Sequence, residues 1–511
     1  MSLLSVRELN IEFYDHDRPE RVVRDVSFEM EEGDVLGIVG ESGSGKSMTA
    51  LAIAGLLNRH DMRKSGRIEY MGKDLLTIPR EELRKFQGND ISMIFQEPMT
   101  SFDPRLRVGT QVEEPLRVHR PEMSDYEMRE AAVRTLASVG LDDPEKAYSL
   151  YPHELSGGMR QRAMIAAAII TEPRILIADE PTTALDVTVQ AQIIRLLEKI
   201  NMDSHMAILF ISHDMSLVRK LCRDVLVMRK GVVVESGRSE KVYSEPENEY
   251  TVSLMNAIPK KGARSYRPED NDLSEGDIVE VDGLNVYAGR RKQRRLIVKD
   301  ASFSVRSGEI VGLVGESGSG KTTLGKAILG INKDVTGHVH CNDPYPQMIF
   351  QDPYSSLNPA RNVGWILEEP LKLRSGLDRS QRRDRVLEML ETVGLSPDIY
   401  HRFPNELSGG QRQRIAIAGA LMQTPKLVIA DEPVSALDVT VQAQILSLIR
   451  ELKEKYFLTV IFISHDLRVV YSLCDRVLIM KDGVIVEQGD TDDIYGSPSH
   501  PYTRNLLDSS D

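Results

Sequence analysis

Cysteine, tryptophan and long apolar runs are scarce in this chain of 511 residues. There are three cysteines, none of them in a C-x-x-C pair, and one tryptophan. Isolated cysteines exclude a disulfide framework and the ligand spacing of a zinc or iron–sulfur site. Cys222 and Cys474 occupy equivalent places in LVRKLCRDVLVM and VVYSLCDRVLIM, so we expect both in the core. No uncharged apolar run reaches the ~18 residues that indicate a membrane-spanning helix.

Basic residues are fewer than acidic ones. The chain has 64 lysines and arginines but 77 aspartates and glutamates, which gives a net charge of −13. This balance argues against nonspecific nucleic-acid binding, which needs a basic surface. One basic run, RRKQRR at residues 290–295, opposes the trend and fits a solvated hairpin tip or a segment near anionic lipid. The start, MSLLSVRELNIEF, lacks the features of a signal peptide. We therefore expect an opening strand and a chain that stays in the cytoplasm.

What the chain does contain is one heptapeptide twice. GESGSGK lies at residues 40–46, followed by Ser47, and at 315–321, followed by Thr322. In the pattern G-x-x-x-x-G-K-[ST] the glycines let backbone amides surround phosphates, the lysine reaches them, and the hydroxyl holds Mg²⁺. A strand-like run precedes each copy and a helix-like run follows, which a glycine-rich turn arising by chance would not provide. The pattern predicts two nucleotide-binding loops.

The duplication extends along the chain with one interruption. Lys46 and Lys321 lie 275 positions apart, whereas Asp179 and Asp431 lie 252 apart. Most of the shortening precedes Gln351, where HVHCNDPYPQ replaces the longer RIEYMGKDLLTIPREELRKF of the first half. We read the longer segment as a strand, a turn and a short helix, and the shorter one as a trimmed antiparallel edge.

Two domains, 1–262 and 278–511, are predicted on either side of a linker. Residues 263–277 are polar, charged and poor in apolar side chains, as a linker is. Within each half, strand-like runs such as 175–178 and 207–211 precede helical runs at 187–200 and 215–222. This alternation predicts an α/β fold of parallel strands flanked by helices.

An apolar strand in each half ends in two acids, Asp179-Glu180 and Asp431-Glu432. A continuous apolar run is typical of a strand buried on both faces, and ligands collect at the carboxyl ends of such strands. The aspartates are placed to bind Mg²⁺, directly or through water, and the glutamates to activate a water molecule. The alternative is an acidic helix cap.

A serine and two glycines precede a long helical pattern in each half, in LSGGMRQR at 155–162 and LSGGQRQR at 407–414. The hydroxyl, the bare amides and the helix N-terminus would together make a second anion site. Alone, this would be an ordinary helix start.

The three motifs in this order, twice, resemble the nucleotide-binding domains of ABC ATPases over nearly the whole chain. The resemblance also covers the Q-loop glutamines, the D-loop runs at 184–186 and 436–438, and the histidines in ISHD. It implies ATP and Mg²⁺ as cofactors. It further implies two tandem P-loop NTPase domains, each with a mainly parallel sheet, an antiparallel β edge and a helical subdomain carrying the signature.

The resemblance also assigns roles to residues of both halves. Phosphate contacts fall to Gly40, Glu41, Ser42, Gly43, Ser44, Gly45, Lys46, Ser47, Gly315, Glu316, Ser317, Gly318, Ser319, Gly320, Lys321 and Thr322, and to the signature residues Ser156, Gly158, Ser408 and Gly410. Mg²⁺ would be held by Ser47, Thr322, Gln96, Gln351, Asp179 and Asp431. Catalytic roles fall to Glu180, Glu432, His213, His465, Gln96 and Gln351. In this family two domains pack head to tail, so that each ATP lies between the loop of one and the signature of the other.

Two features narrow the resemblance to ATPases of the oligopeptide, dipeptide and nickel importers. One is the Q-[DE]-P-x-x-S-[LF]-[ND]-P run at 96–104 and 351–359, and the other is His-Pro-Tyr-Thr at 500–503, of which 250–251 keep only Tyr-Thr. This implies an energising subunit at the cytoplasmic face of the membrane, with two permeases, an extracytoplasmic solute-binding protein and no nucleic acid. Some members bind an iron–sulfur cluster through cysteines after this tail, but no cysteine lies after Asn256 in the first half's tail or after Cys474 in the second half, so we predict no cluster.

Several alternatives stay open at this point. A tandem sugar importer would usually have a degraded half, and ribosome- or DNA-acting twin ATPases usually carry basic or cysteine-rich additions. Phe13 or Tyr14 in the first half and Tyr287 in the second are candidates to stack on adenine, or are simply core aromatics. Met159, where the family usually has glutamine, could make the two sites unequal. The transported molecule is not readable from the sequence.

Overall fold

The computed structural model describes residues 2–15, 18–96, 101–183, 185–258, 276–289, 294–374, 376–435 and 437–510. The chain divides into two compact units, one of Met1–Leu185 with Val189–Ala257 and one of Asp186–Thr188 with Ile258–Asp511. Residues 263–275 of the predicted linker, 290–293 of the basic run and 97–100 of the first Q-loop run lie outside the described residues, as do Ala184 and Ala436 of the D-loop runs.

The first unit opens with strands and ends with two short helices. Its strands are β1 (Leu4–Asp15), β2 (Arg18–Met30), β3 (Val35–Val39), β4 (Met62–Tyr70), β5 (Lys73–Asp74), β6 (Ile91–Ile94), β7 (Ile175–Asp179), β8 (Ala207–Ser212), β9 (Asp224–Arg229) and β10 (Val232–Arg238). Its α-helices are Lys46–Ile53, Arg80–Phe86, Val108–His119, Asp125–Ser138, Pro144–Ser149, Gly157–Ile169, Val187–Ser204, Met215–Leu221, Ser239–Ser244 and Glu249–Ala257.

The second unit repeats this order with a shorter edge segment. Its strands are β11 (Asp277–Ala288), β12 (Arg295–Arg306), β13 (Ile310–Val314), β14 (Val335–Cys341), β15 (Gln347–Ile349), β16 (Leu427–Asp431), β17 (Thr459–Ser464), β18 (Arg476–Lys481) and β19 (Val484–Asp490). Its α-helices are Lys321–Ile328, Pro353–Ser356, Val363–Arg374, Arg379–Thr392, Gly409–Leu421, Val439–Tyr456, Leu467–Leu473, Thr491–Gly496 and Pro501–Ser510.

A six-stranded sheet lies at the centre of each unit, in the order β10-β9-β3-β8-β7-β6 and β15-β16-β17-β13-β18-β19. All neighbouring pairs are parallel except β9–β10 and β18–β19 at one edge. Every residue of β7, β8, β16 and β17 is buried, which explains their continuous apolar runs. The predicted α/β fold with a mainly parallel sheet is confirmed.

A second, antiparallel sheet accompanies each core, and here the units differ. The first has the order β2-β1-β4-β5 and the second β12-β11-β14. The helix Arg80–Phe86 follows β5 in the first unit, whereas β14 leads directly to β15 in the second. The strand, turn and short helix predicted for the longer segment are therefore confirmed, and so is the trimmed edge.

The shortening changes which group accepts the hydrogen bonds from the amides at the start of the acidic strand, β7 or β16. In the first unit the backbone carbonyl of Asp90 accepts hydrogen bonds from the amides of Arg174 and Ile175, both at 2.9 Å. In the second unit the equivalent amides, of Lys426 and Leu427, donate to a carboxylate oxygen of Asp343 at 2.7 and 2.8 Å. A buried side chain thus replaces a backbone group that the shorter segment does not supply.

The cysteines pack as small core residues, as predicted. Cys222 and Cys474 are 5% and 1% exposed. A Cβ added at Gly37 of β3 would lie 2.5 Å from Val218 Cγ1 and 3.3 Å from the sulfur of Cys222. The strand that leads into the first phosphate loop therefore needs a glycine, because the helix Met215–Leu221, which follows β8, packs directly on its backbone.

Candidate functional site

Each GESGSGK segment forms a turn that leads into a helix. Gly45, at φ 101°, precedes the helix Lys46–Ile53, and Gly320, at φ 105°, precedes Lys321–Ile328. A Cβ at Gly40 would lie 2.1 Å from the carbonyl oxygen of Met228. These backbone conformations and close approaches are available to glycine alone among the residues, which accounts for the glycine pattern.

The loop lysines fold along their own loops. Lys46 Nζ donates to the carbonyl oxygens of Gly40 and Glu41 at 2.7 and 2.9 Å. Lys321 does the same to Gly315 and Glu316, at the same two distances. Both lysines are nearly buried, at 4% and 5% exposure, so each ammonium group stays at the loop that would receive phosphates.

Two of the three residues expected to hold Mg²⁺ in each unit, the loop hydroxyl and the aspartate, contact each other, whereas the Q-loop glutamine donates to Glu180 or Glu432. Ser47 Oγ donates to Asp179 Oδ1 at 3.0 Å, and Thr322 Oγ1 to Asp431 Oδ1 at 2.9 Å. Hydroxyl and carboxylate oxygens are the ligands that Mg²⁺ prefers. Burial raises the pKa of Asp179 to about 6 and that of Asp431 above its usual value. A cation beside these carboxylates would favour their ionised form, so the donor set fits the metal.

The glutamate after each strand adopts an uncommon backbone conformation. Glu180 and Glu432 have φ values of 47° and 46°, in the left-handed region. Their amides donate to the carbonyl oxygens of Ile211 and Ile463 on the neighbouring strand, both at 2.9 Å. Such conformations persist where surrounding contacts enforce them and cluster at functional sites. Here the turn brings the carboxylate within hydrogen-bond distance of the Q-loop glutamine and of the histidine after the neighbouring strand.

Three side chains converge on one oxygen of Glu180. Its Oε2 accepts from Gln96 Nε2 at 3.1 Å and from Thr183 Oγ1 at 2.8 Å, and lies 3.2 Å from His213 Nδ1. Among the described residues no donor is bonded to Oε1. One carboxylate oxygen thus takes all three contacts, which fix the orientation of the carboxylate.

The second unit brings together the equivalent groups. Gln351 Nε2 donates to Glu432 Oε2 at 2.9 Å, and His465 Nδ1 lies 3.2 Å from that oxygen. Ser435, at the position of Thr183, donates instead to the backbone carbonyl of Glu432 at 3.1 Å. Both units therefore assemble glutamine, acid and histidine, and Ser435 also lies close enough to the second carboxylate to help lower the pKa of Glu432.

Mutual electrostatics favour the charged forms of each glutamate–histidine pair. Burial acts to raise the pKa of Glu180 and to lower that of His213, but their hydrogen bond and attraction outweigh it. The pKa of Glu180 is lowered and that of His213 is raised. The same directions hold for Glu432 and His465, for the same reasons. Near neutral pH each carboxylate is therefore ionised, as a proton acceptor must be.

The signature serines begin their helices as N-caps. Ser156 Oγ accepts from the amide of Met159, and Ser408 Oγ from the amide of Gln411, both at 3.3 Å. Gln411 Oε1 also accepts from the amide of Ser408 at 3.1 Å, which completes a capping box. Met159 has no side-chain acceptor. The departure seen in the sequence thus removes one of two reciprocal bonds at the first signature.

A helical subdomain carries each signature helix, as expected. In the first unit the helices Val108–His119 and Asp125–Ser138 pack against Gly157–Ile169. Glu113 is 2% exposed and accepts from the hydroxyl of Tyr148 at 2.5 Å. The packing of these helices positions the N-terminus of the signature helix.

The aromatics considered for adenine stacking lie in the antiparallel sheets. The guanidinium of Arg59 lies 5.2 Å from the ring centre of Phe13, and that of Arg294 lies 3.6 Å from the ring centre of Tyr287. Tyr14 is 47% exposed. A role for any of them in binding adenine stays a prediction.

Thr183 is the site residue that sequence reasoning missed. It lies three positions after Glu180, in the turn that follows β7, and its hydroxyl bonds the carboxylate directly. Proximity to the acid pair was the available signal. The sequence alone does not show that the chain turns back there.

Similarity to known proteins agrees with this arrangement of phosphate loop, acidic strand end and signature helix, which defines an ABC-type P-loop ATPase. Residues 23–183 and 298–435 match the family model described as "ABC transporter". Residues 234–294 and 486–510 match "Oligopeptide/dipeptide transporter, C-terminal region". The chain belongs to the family of ABC transporter ATP-binding proteins, with two ABC regions in tandem.

Curated relatives align over nearly the full chain. The peptidoglycan transport ATP-binding protein YejF of Agrobacterium fabrum is 44% identical, over 99% of this chain and 96% of its own length. The glutathione import ATP-binding protein GsiA of Salmonella choleraesuis is 40% identical, over 99% and 89%. A solved archaeal ribosome recycling factor, aABCE1 in complex with aP1, aligns over 94% of both chains at a TM-score of 0.60 and 20% identity, a likeness of fold alone.

Each helix of the described residues is too short or too polar to span a bilayer.

Proposed function

We propose that this chain is the ATP-hydrolysing subunit that energises import of a peptide or a related small solute. It would act at the cytoplasmic face of the membrane, beneath two permease subunits. An extracytoplasmic binding protein would deliver the solute to these permeases. The match of both halves to the ABC family and of both tails to the oligopeptide transporter region supports this proposal. The observation that carries the ATPase role is the Gln–Glu–His cluster built beside each phosphate loop.

In each unit the loop amides and the lysine would bind the nucleotide phosphates, and Ser47 with Asp179, or Thr322 with Asp431, would hold Mg²⁺. When bound, Mg²⁺ would neutralise charge on the transferred phosphoryl group. Glu180 would accept the proton of the attacking water on Oε1, while bonds to its Oε2 keep the carboxylate oriented.

The pairing of the halves is proposed on the family resemblance. With domains at 1–262 and 278–511, Lys46 would share its nucleotide with Ser408 and Gly410, and Lys321 with Ser156 and Gly158. Ser408→Arg would then block ATP turnover at the site that contains Lys46, in the other half. Combining it with Lys46→Ala would cause no further loss of turnover at that site. If the double variant Ser408→Arg/Lys46→Ala released phosphate at that site more slowly than Ser408→Arg alone, Ser408 and Lys46 would belong to different sites.

Hydrolysis is tested with the double variant Glu180→Gln/Glu432→Gln. We expect ATP turnover to fall about 100-fold or more while ATP binding persists, because glutamine keeps the shape but does not accept the proton. Glu130→Gln, in an exposed helix where Glu130 accepts from Tyr126, is the matched control and is expected to leave turnover unchanged. Wild-type turnover in the double variant would refute the assigned role.

Import is tested by deleting the gene and measuring uptake of labelled peptides and glutathione, with complementation by the wild-type and double-variant genes. The relatives' names differ in substrate, which agrees with selection by the binding protein and not by this chain. Co-purification of permease subunits and restored uptake with the wild type alone are expected. Unchanged uptake of every tested solute, together with no associated membrane protein, would reject the importer role.

A further inference from the structure

The tail of each unit is the helix Glu249–Ala257 or Pro501–Ser510 together with the few residues before it. It follows the core and contacts the phosphate loop. The hydroxyl oxygen of Tyr250 accepts a hydrogen bond from the backbone amide of Glu41 at 3.1 Å. In the second unit, the hydroxyl of Tyr502 accepts from the amide of Glu316 at 3.2 Å. Glu41 and Glu316 are the second residues of the two GESGSGK loops. The same contact is therefore built twice, once in each unit.

The tyrosine bond falls on the residue that the loop lysine also holds. Lys46 donates to the carbonyl oxygen of Glu41, and Lys321 to that of Glu316, both at 2.9 Å. The backbone of this residue is thus fixed through its amide by the tail and through its carbonyl by the lysine. A shift of the tail hydroxyl would displace a group that positions the lysine ammonium.

Packing leaves the tyrosine rings little freedom. Tyr250 and Tyr502 are 4% and 8% exposed. The guanidinium of Arg229 lies 4.7 Å from the first ring centre, and the ammonium of Lys481 lies 4.8 Å from the second. Both cations come from the end of the strand that precedes the β9–β10 or β18–β19 turn. The hydroxyl is therefore presented to the loop by a fixed ring.

An equivalent hydrogen bond holds the first turn of each tail helix, although the residue that accepts it differs between the two tails. Asn248 Oδ1 accepts from the amide of Tyr250 at 2.9 Å, and His500 Nδ1 accepts from that of Tyr502 at 3.1 Å. Asparagine thus does in the first tail what histidine does in the second. The neighbouring threonines are fully buried in both tails.

A glutamate on the last strand of each core holds the segment just before the helix. Glu235 accepts from the amides of Glu247 and Asn248 at 2.9 and 3.1 Å. Glu487 accepts from the amides of Ser499 and His500 at 2.7 and 3.2 Å. The two tails are therefore docked by equivalent contacts, and the pair that they share in sequence, Tyr-Thr, is the part buried against the core.

We propose that Tyr250 and Tyr502 are positioning residues for ATP binding, which hold the first part of each phosphate loop in its binding conformation through the amide of Glu41 or Glu316. The inference rests on the proposed function, because that function assigns the loops to ATP. A glycine-rich loop loses much conformational freedom when it is ordered around phosphates. A hydrogen bond that orders it beforehand reduces this cost and so strengthens binding without touching the ligand.

The test compares Tyr250→Phe, Tyr502→Phe and the double variant with the wild type, by steady-state ATP hydrolysis and by titration with MgATP. Phenylalanine keeps the ring and its packing and removes only the hydroxyl group. We expect KM and the dissociation constant to rise about two- to ten-fold, as for loss of one hydrogen bond, with kcat nearly unchanged. The two single variants use independent tails, so each checks the other.

Tyr495→Phe is the matched control. Its hydroxyl donates to the carbonyl of Leu467 at 2.6 Å, in the same tail region but away from the loop. We expect wild-type KM and kcat for this variant. Equal KM in wild type and both Tyr→Phe variants would overturn the inference, as would an equal rise in Tyr495→Phe, which would indicate general loosening of the tail. If the wild type itself neither binds nor hydrolyses ATP, the proposed function fails instead.

Discussion

The two units hold the same candidate site residues at nearly the same distances but support them differently. The hydroxyl–aspartate, glutamine–glutamate and histidine–glutamate distances agree between the units to within 0.2 Å. Around them, a carboxylate replaces a backbone carbonyl at the start of the acidic strand, one capping box is incomplete, and one hydroxyl points to a different acceptor.

These differences show which features of the site tolerate change. The loop hydroxyl contacts the aspartate, and the glutamine and the histidine contact the glutamate, at nearly the same distances in both units, so this geometry shows little variation. Supporting contacts need only supply a hydrogen-bond partner, and at the start of the acidic strand Asp343 supplies in one unit what the carbonyl of Asp90 supplies in the other. Any inequality between the two sites is therefore to be sought in the supporting contacts.

The largest expected effect compares Glu180→Gln with Glu432→Gln, each alone. If the two sites are equivalent, each variant loses about 100-fold or more in turnover at its own site, because a proton acceptor is removed. Single-turnover hydrolysis with site-resolved nucleotide trapping gives the comparison. Losses that differ by more than ten-fold would show that one site dominates turnover.

The next comparison is Asp343→Asn against Asp90→Asn. Asparagine at 343 replaces a charged acceptor with a neutral one, and we expect the amides of Lys426 and Leu427 to exchange with solvent about ten-fold faster. At position 90 the amides of Arg174 and Ile175 bond to the backbone, so their exchange is expected to stay as in the wild type. Hydrogen exchange read by mass spectrometry covers both strands, and equal effects at the two positions would contradict the assigned supports.

A smaller effect is expected from Thr183→Val against Ser435→Ala. Thr183 donates to the carboxylate of Glu180, whereas Ser435 donates to a backbone carbonyl. Loss of the first bond is expected to lower kcat about two- to ten-fold, and loss of the second to change it less than two-fold. Because the lost bond favours the ionised carboxylate, Thr183→Val is also expected to move the acidic limb of the pH–rate profile upward. An unshifted limb would argue against this role.

The smallest effect is expected from Met159→Gln, with Gln411→Met as its reverse. Glutamine at 159 can accept from the amide of Ser156 and complete a capping box, which stabilises a helix N-terminus by about 0.3–1.5 kcal/mol. The change is measured as slower amide exchange in the first turn of Gly157–Ile169. Gln411→Met is expected to speed amide exchange in the first turn of Gly409–Leu421. If neither variant changes amide exchange, the capping difference does not make the two sites unequal.

Most of the fold was predictable because its signals are local. The strand Ile175–Asp179 and the helix Val187–Ser204 follow from apolar runs and periodicity within a few turns of chain. The phosphate loops follow from glycines that the backbone itself requires. Asp343 was not predictable, because its partner amides lie 83 and 84 positions further along the chain.

The sequence by itself determined the class of protein, the two phosphate loops and the acids after each buried strand, since these depend on residue type at fixed spacing. Only the tertiary structure decided which distant groups meet: Asp343 on the amides of Lys426 and Leu427, and a tail tyrosine on a loop 209 positions earlier in the chain. Such contacts depend on how distant segments pack, and hydrogen bonds between them form only where packing brings donor and acceptor within about 3 Å.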